Sequence, residues 1–179
     1  MPSLQSIIEN LNRAHKEFLT AADAVPAEQW KSSPGDGNWS AAEVAAHLLM
    51  VERYVIEKAD EGLQKPPNPR PFFKRFHLPM ALVEARLIRR KTPIPLDGGL
   101  VGPKEEMLAQ LREVRGRTLS FVEETRGRNL SQYYRRHPFL GPLNTYEWFQ
   151  MIASHQIRHT KQIKEIAAAL QKNIGRLQK

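Results

Sequence analysis

One stretch limits the fold of this chain more than any other. Trp148, Ile152, His155, His159, Ile163, Ile166 and Leu170 follow each other in steps of four and three residues, which stacks them along one face of a helix. Trp148, Ile152, Ile163, Ile166 and Leu170 are what a buried seam requires. His155 and His159, one turn apart, sit where apolar groups belong. Two imidazoles on an inward face need a partner, and a divalent metal ion suits this spacing best. The bare spacing is weak evidence; its position on the core stripe gives it weight.

At 179 residues the chain reads as one domain, 1–179, with enough length for a real core. No apolar run approaches the roughly 20 residues of a membrane span, and no signal peptide is visible after Met1, so a cytoplasmic location is expected. The absence of cysteine excludes disulfides, thiolate nucleophiles and cysteine-type zinc sites. Any metal must then be held by imidazole, carboxylate or carbonyl groups. A net charge of +8 raises the question of nucleic acid. The basic residues, among them Arg86, Arg89, Arg90, Arg126, Arg128, Arg135 and Arg136, are scattered with few aromatics between them. No nucleic-acid motif is present, so a solvated basic surface is the better reading.

Four amphipathic helices are predicted. The first runs from about Ser3 to Ala24, with Leu4, Ile8, Leu11, Phe18 and Ala22 inward. His15 falls on that seam, either as a further neighbour of a metal or, more commonly for such a residue, as a hydrogen-bonded boundary group. The second opens at Ser40, where Ser40-Ala41-Ala42-Glu43 fits a capping box and Trp39 can staple onto Val44, and runs to about Gly62. His47 lies beside its Val44, Leu48, Val51, Val55 stripe and becomes the third ligand if this helix faces the seam with His155 and His159. Residues 64–102 carry Pro66, Pro67, Pro69, Pro71, Pro79, Pro93 and Pro95 and form an irregular crossover. A short helix over Met80–Ile88 and a cover for a site built on Phe72, Phe73, Phe76 and His77 are possible within it. A crossover this long suits a bundle whose second and third helices are not antiparallel neighbours.

The third helix starts at Pro103 with Glu105 and Glu106 in its first turn and ends near Arg126-Gly127. His137-Pro138-Phe139-Leu140-Gly141-Pro142-Leu143-Asn144 is a rigid approach to the fourth, capped by Asn144 with Glu147 completing the box. The tail from about Asn173 to Lys179 is expected to fray. No strand-like alternation is present, so the expected fold is all-α, a four-helix bundle with a long crossover between helices two and three.

Two blocks carry a family resemblance. Asn38-Trp39-Ser40-Ala41-Ala42-Glu43-Val44-Ala45-Ala46-His47-Leu48 resembles the opening of helix two in the DinB/YfiT-like metalloprotein superfamily. The 137–148 stretch, followed by His155-Gln156-Ile157-Arg158-His159-Thr160-Lys161-Gln162, resembles the family's second block. The resemblance implies a four-helix bundle with a three-histidine divalent metal site at His47, His155 and His159. It also implies homodimers as a common form. Some members are low-molecular-weight thiol S-transferases, and others are described as metal-dependent hydrolases.

Three neutral ligands leave a divalent ion its full charge and an open position. Such an ion lowers the pKa of a bound water toward about 7 or deprotonates a thiol. A small-molecule substrate, with or without a thiol cosubstrate, follows. Zinc is the first choice; nickel, iron and manganese also accept imidazole. Gln162, one turn beyond His159, could hold a ligand ring or be a plain surface residue. Tyr54, two turns from His47, could face the cleft or pack in the core. No carboxylate falls on the histidine stripe, so no general base can be named. Two bland readings stand beside these: a buried histidine cluster without metal, and a metal that only staples the bundle.

Overall fold

The computed structural model describes residues 3–35, 37–68 and 100–177, with side chains to 173. Four helices form the body: α1 (Leu4–Asp23), α2 (Ala41–Leu63), α3 (Lys104–Glu124) and α4 (Thr145–Leu177). Local chemistry fixes where they start. Ser3 accepts a hydrogen bond from the Ser6 amide at the head of α1. At α2 the Ser40 hydroxyl accepts from the Glu43 amide at 3.2 Å, and Glu43 accepts from the Ser40 amide at 2.7 Å. Asn144 and Glu147 exchange the same pair of bonds at the head of α4, at 3.0 and 2.8 Å. Two boxes legible in the sequence thus set the registers of the two helices that carry the three histidines.

The order of the helices around the bundle explains the crossover. α1 packs mainly on α4, and α2 on α3; α2 also meets α4, and α1 meets α3. Glu52 meets Arg115 and Thr118, while Val44 and Leu48 share a core cluster with Met107 and Leu111. Sequence numbers rise together, so α2 and α3 run parallel. His47 meets both His155 and His159, whereas Val55 lies in one cluster with Trp148, so α2 and α4 run antiparallel. A parallel pair needs a connection that returns the full length of a helix, about 34 Å for the 23 residues of α2. The sequence expectation that α2 and α3 are not antiparallel neighbours is met by a parallel pair. The middle of the crossover, 69–99, with the expected short helix and the Phe72, Phe73, Phe76 and His77 cover, lies outside the described residues.

Two departures from the sequence reading stand out. A short antiparallel hairpin precedes α4: β1 (Tyr134–His137) pairs with β2 (Gly141–Asn144), Tyr134 opposite Asn144 and His137 opposite Gly141. Four-residue strands containing Gly141 and Pro142 give no alternation to read. The hairpin is held instead by its turn and its packing. The His137 Nδ1 accepts from the amides of Phe139 and Leu140, each at 3.1 Å, Gly141 takes φ +76°, and Leu140 and Leu143 are buried. Secondly, α4 continues to Leu177, past the point where fraying was expected.

The core has two apolar halves. One gathers Phe18, Trp30, Leu49, Met107, Leu111 and Ile163; the other gathers Ile7, Leu11, Val55, Leu143, Phe149 and Ile152. Between them lies a polar layer. Arg115 donates from Nε and Nη2 to the two carboxylate oxygens of Glu52 at 2.6 and 2.9 Å. It donates further to Gln156 Oε1 at 2.9 Å and to the Leu11 carbonyl. Thr118 also donates to Glu52, at 2.9 Å. All four helices contribute to this layer, and the pair is almost completely buried, which is tolerable only because its remaining hydrogen-bonding positions are filled. Hydrophobic periodicity does not mark Glu52 and Arg115, because charged residues carry no apolar signal.

Candidate metal centre

His47 projects from the second turn of α2, between Ala46 and Leu48, which are buried. His155 and His159 project from the middle of α4. The three imidazoles turn their Nε2 atoms toward one point. His155 Nε2 lies 3.2 Å from His47 Nε2 and 3.1 Å from His159 Nε2. The ring centroids are 4.5 to 5.0 Å apart, in edge-on arrangements. His47 and His159 are buried and His155 is half-buried.

Gln162 fixes one tautomer. The His159 Nδ1–H donates to Gln162 Oε1 at 2.8 Å, which leaves the lone pair of His159 on Nε2. Burial pulls the pKa of His47 down to about 4. Burial also holds His155 well below the ordinary histidine value, with His159 and His47 adding to the effect. Cationic imidazolium is therefore disfavoured where the rings meet. A neutral ring has one N–H and one lone pair, so a single Nε2–H can bridge only part of this set. A cation at the centre would satisfy all three Nε2 atoms at once.

Spacing supports the fit. At the usual metal–nitrogen distance of about 2.0–2.1 Å, two imidazole nitrogens sharing an ion sit roughly 3 Å apart. The three residues also form the group of potential metal ligands found among the described residues, and no carboxylate joins them. His47 and His155 each leave a buried Nδ1 without a partner among the described residues. Trp39 closes one side: its indole stacks on His159 with 10° between the planes and 6.3 Å between centroids, and tilts against His47 at 5.2 Å.

The sequence model of the DinB superfamily matches residues 10–163, a span that contains all three histidines and both capping boxes. The chain belongs to the DinB superfamily. Among its relatives, the uncharacterized protein YuaE of Bacillus subtilis (strain 168) is 23% identical over 164 residues, covering 90% of this chain and 97% of YuaE. Among solved structures, it is similar to YfiT from Bacillus subtilis, described as a probable metal-dependent hydrolase with an unusual four-helix bundle topology. That likeness has a TM-score of 0.65 at 16% identity and covers 93% of this chain and 87% of the other; it shows the fold.

Of the other residues singled out in this DinB chain, Gln162 stands beside the cluster. His15 and Tyr54 do not join it. His15 accepts from Gln156 Nε2 at 3.4 Å and belongs to the Glu52–Arg115 layer. Burial, and then Arg115, lower its pKa to about 4. The hydrogen-bonded reading of His15 is the one that matches this contact. Tyr54 lies two turns along α2 from His47, is 45% exposed, and faces the Arg135 guanidinium at 5.9 Å. Its contact with Arg135 joins α2 to the hairpin, which spacing along α2 alone does not show. In the sequence Trp39 stands out only as a staple, Arg135 as a surface charge and His137 as part of the second block. The ring contacts of Arg135 and His137 depend on the hairpin, which leaves no alternation in the sequence, and those of Trp39 depend on α2 and α4 packing together.

Proposed function

We propose that this chain is a metal-dependent enzyme acting on a small molecule, its divalent ion held by His47, His155 and His159. The observation that carries the reading is the convergence of three Nε2 atoms, with Gln162 fixing a tautomer that directs a lone pair inward. The described residues divide the work as follows. Burial keeps His47 and His155 neutral, so their lone pairs remain available at neutral pH. Gln162 holds the His159 ring in place, and Trp39 screens the His47–His159 side from water. When bound, an ion with only neutral ligands acidifies a water or a thiol.

Hydrolysis is one outcome of that chemistry and accords with the description of YfiT. Transfer of a low-molecular-weight thiol to an electrophile is the other. It is favoured by the surroundings of His155, whose electrostatic neighbours are His159, His47, Arg158 and His137, with no carboxylate joining the histidines among the described residues. A thiol that has lost its proton needs no further base.

Elemental analysis of protein purified without a nickel column tests the ion. Turnover is then assayed with an activated ester and, separately, with small thiols and an alkyl electrophile. His159→Ala should lose both the ion and turnover while its helical circular dichroism persists. Undiminished turnover by metal-free protein would sink the reading.

A further inference from the structure

We infer that Arg135, with His137 beside it, anchors a carboxylate at the far end of a small-molecule substrate whose reacting atom lies at the three histidines. This inference rests on reading the histidine cluster as the reaction centre. Its basis is the seam between α2 and α4. His47 and Tyr54 are seven residues apart on α2, and Trp148 and His155 are seven apart on α4, so each pair shares a face. The helices run antiparallel, so Tyr54 lies at the level of Trp148 and His47 at the level of His155. About two helical turns, roughly 10 Å, separate the two levels.

The outer level holds a guanidinium from β1. Arg135 lies over the Trp148 ring at 4.8 Å and over the Tyr54 ring at 5.9 Å. Its Nη1 is buried with no partner among the described residues, and its Nη2 reaches the Val55 carbonyl only at 3.5 Å. The Tyr54 hydroxyl is within hydrogen-bonding reach of the guanidinium, and Glu61, the acid within its electrostatic reach, already pairs with Lys58 at 2.5 Å. A guanidinium nitrogen shielded from water is normally matched by carboxylate or phosphate, so half-buried Arg135 retains donor capacity at Nη1. His137 packs on the same Trp148 ring, 5.1 Å between centroids. Its Nδ1 accepts from two amides, so its ring proton resides on Nε2, a second donor at this level. His137 also lies within electrostatic reach of His155, which links the two levels. Tyr54 and Phe139, at 45% and 47% exposure, mark the solvent side of this end. A wall of donors, an aromatic floor and a solvent-facing edge match a carboxylate on a flexible chain.

The test uses the full chain loaded with cobalt and two thiols of equal length, 8-mercaptooctanoate and 8-mercapto-1-octanol. Calorimetry measures affinity, and cobalt absorption reports thiolate binding at the histidines. The carboxylate probe should bind about tenfold more tightly than the alcohol, the scale of one charge-assisted hydrogen-bonded pair. Arg135→Met, which keeps the stem on the rings, should abolish the preference, and Arg135→Lys should retain part of it. Equal affinities in the unsubstituted protein, or a preference that survives in a folded Arg135→Met variant, would overturn the inference. Failure of both thiols to change the cobalt spectrum counts against the proposed function alone, since the difference in affinity still reads Arg135.

Discussion

Each of the three imidazoles has a different environment, and the differences bear on how an ion is held. His159 has its outer nitrogen fixed by Gln162, whereas His47 and His155 have none fixed among the described residues. Loss of that one hydrogen bond should therefore be felt directly. Gln162→Leu should weaken cobalt or zinc affinity by about 10–100-fold while the helices remain folded, read by competition against a chromophoric chelator. Protons compete for the same lone pairs. With His47 lowered to about 4, its protonated form gains little until the pH approaches that value. Cobalt absorption should then persist well below 6.5 as the pH falls, and its loss near 6.5 would contradict the neutral-imidazole picture. In the neighbouring polar layer, Arg115→Met leaves the Glu52 carboxylate buried without its cation. That should cost about 3–5 kcal/mol by chemical denaturation, and replacing Glu52 with Leu in the same chain should recover part of the loss.

At the scale of elements, helix starts position the site. The Ser40–Glu43 box sets the register of α2, and the Asn144–Glu147 box sets that of α4. Ser40→Ala removes the acceptor for the Glu43 amide and should lower stability by about 1 kcal/mol, visible as a lower Tm. The hairpin is the other positioning element. It carries Arg135 and His137 to the Trp148 ring, and its turn closes on the imidazole of His137 rather than on a standard two-residue loop. A helix could not deliver both residues from this sequence, because Pro138 and Gly141 interrupt it.

The whole molecule is arranged so that two parallel pairs, α1 with α4 and α2 with α3, face each other across a polar middle. Parallel neighbours force the long crossover; antiparallel contact between α2 and α4 brings His47 to His155 and His159. The polar middle also ties folding to pH. His15 is lowered from 6.5 to about 4 in the folded chain, so between those values the unfolded chain binds the extra proton. Stability from this group is present above about 6.5 and is lost as the pH falls toward 4. The Tm of metal-free protein should fall across that window, and His15→Gln should flatten the slope there. An unchanged slope would remove His15 from the account.

The helices, their caps and the inward placement of the histidines are legible in the order of residues, because helical periodicity and capping are local. The sequence also carries the two blocks that resemble the superfamily. Three features depended on tertiary structure. The pairing of Arg115 with Glu52 joins residues 63 positions apart by charge alone, which no apolar pattern marks. The hairpin is too short for an alternating signal and is held by a side chain in its own turn. The guanidinium between Tyr54 and Trp148 requires the hairpin, α2 and α4 to be in place together. Local rules act within a few residues; contacts between distant segments exist only after the chain has folded.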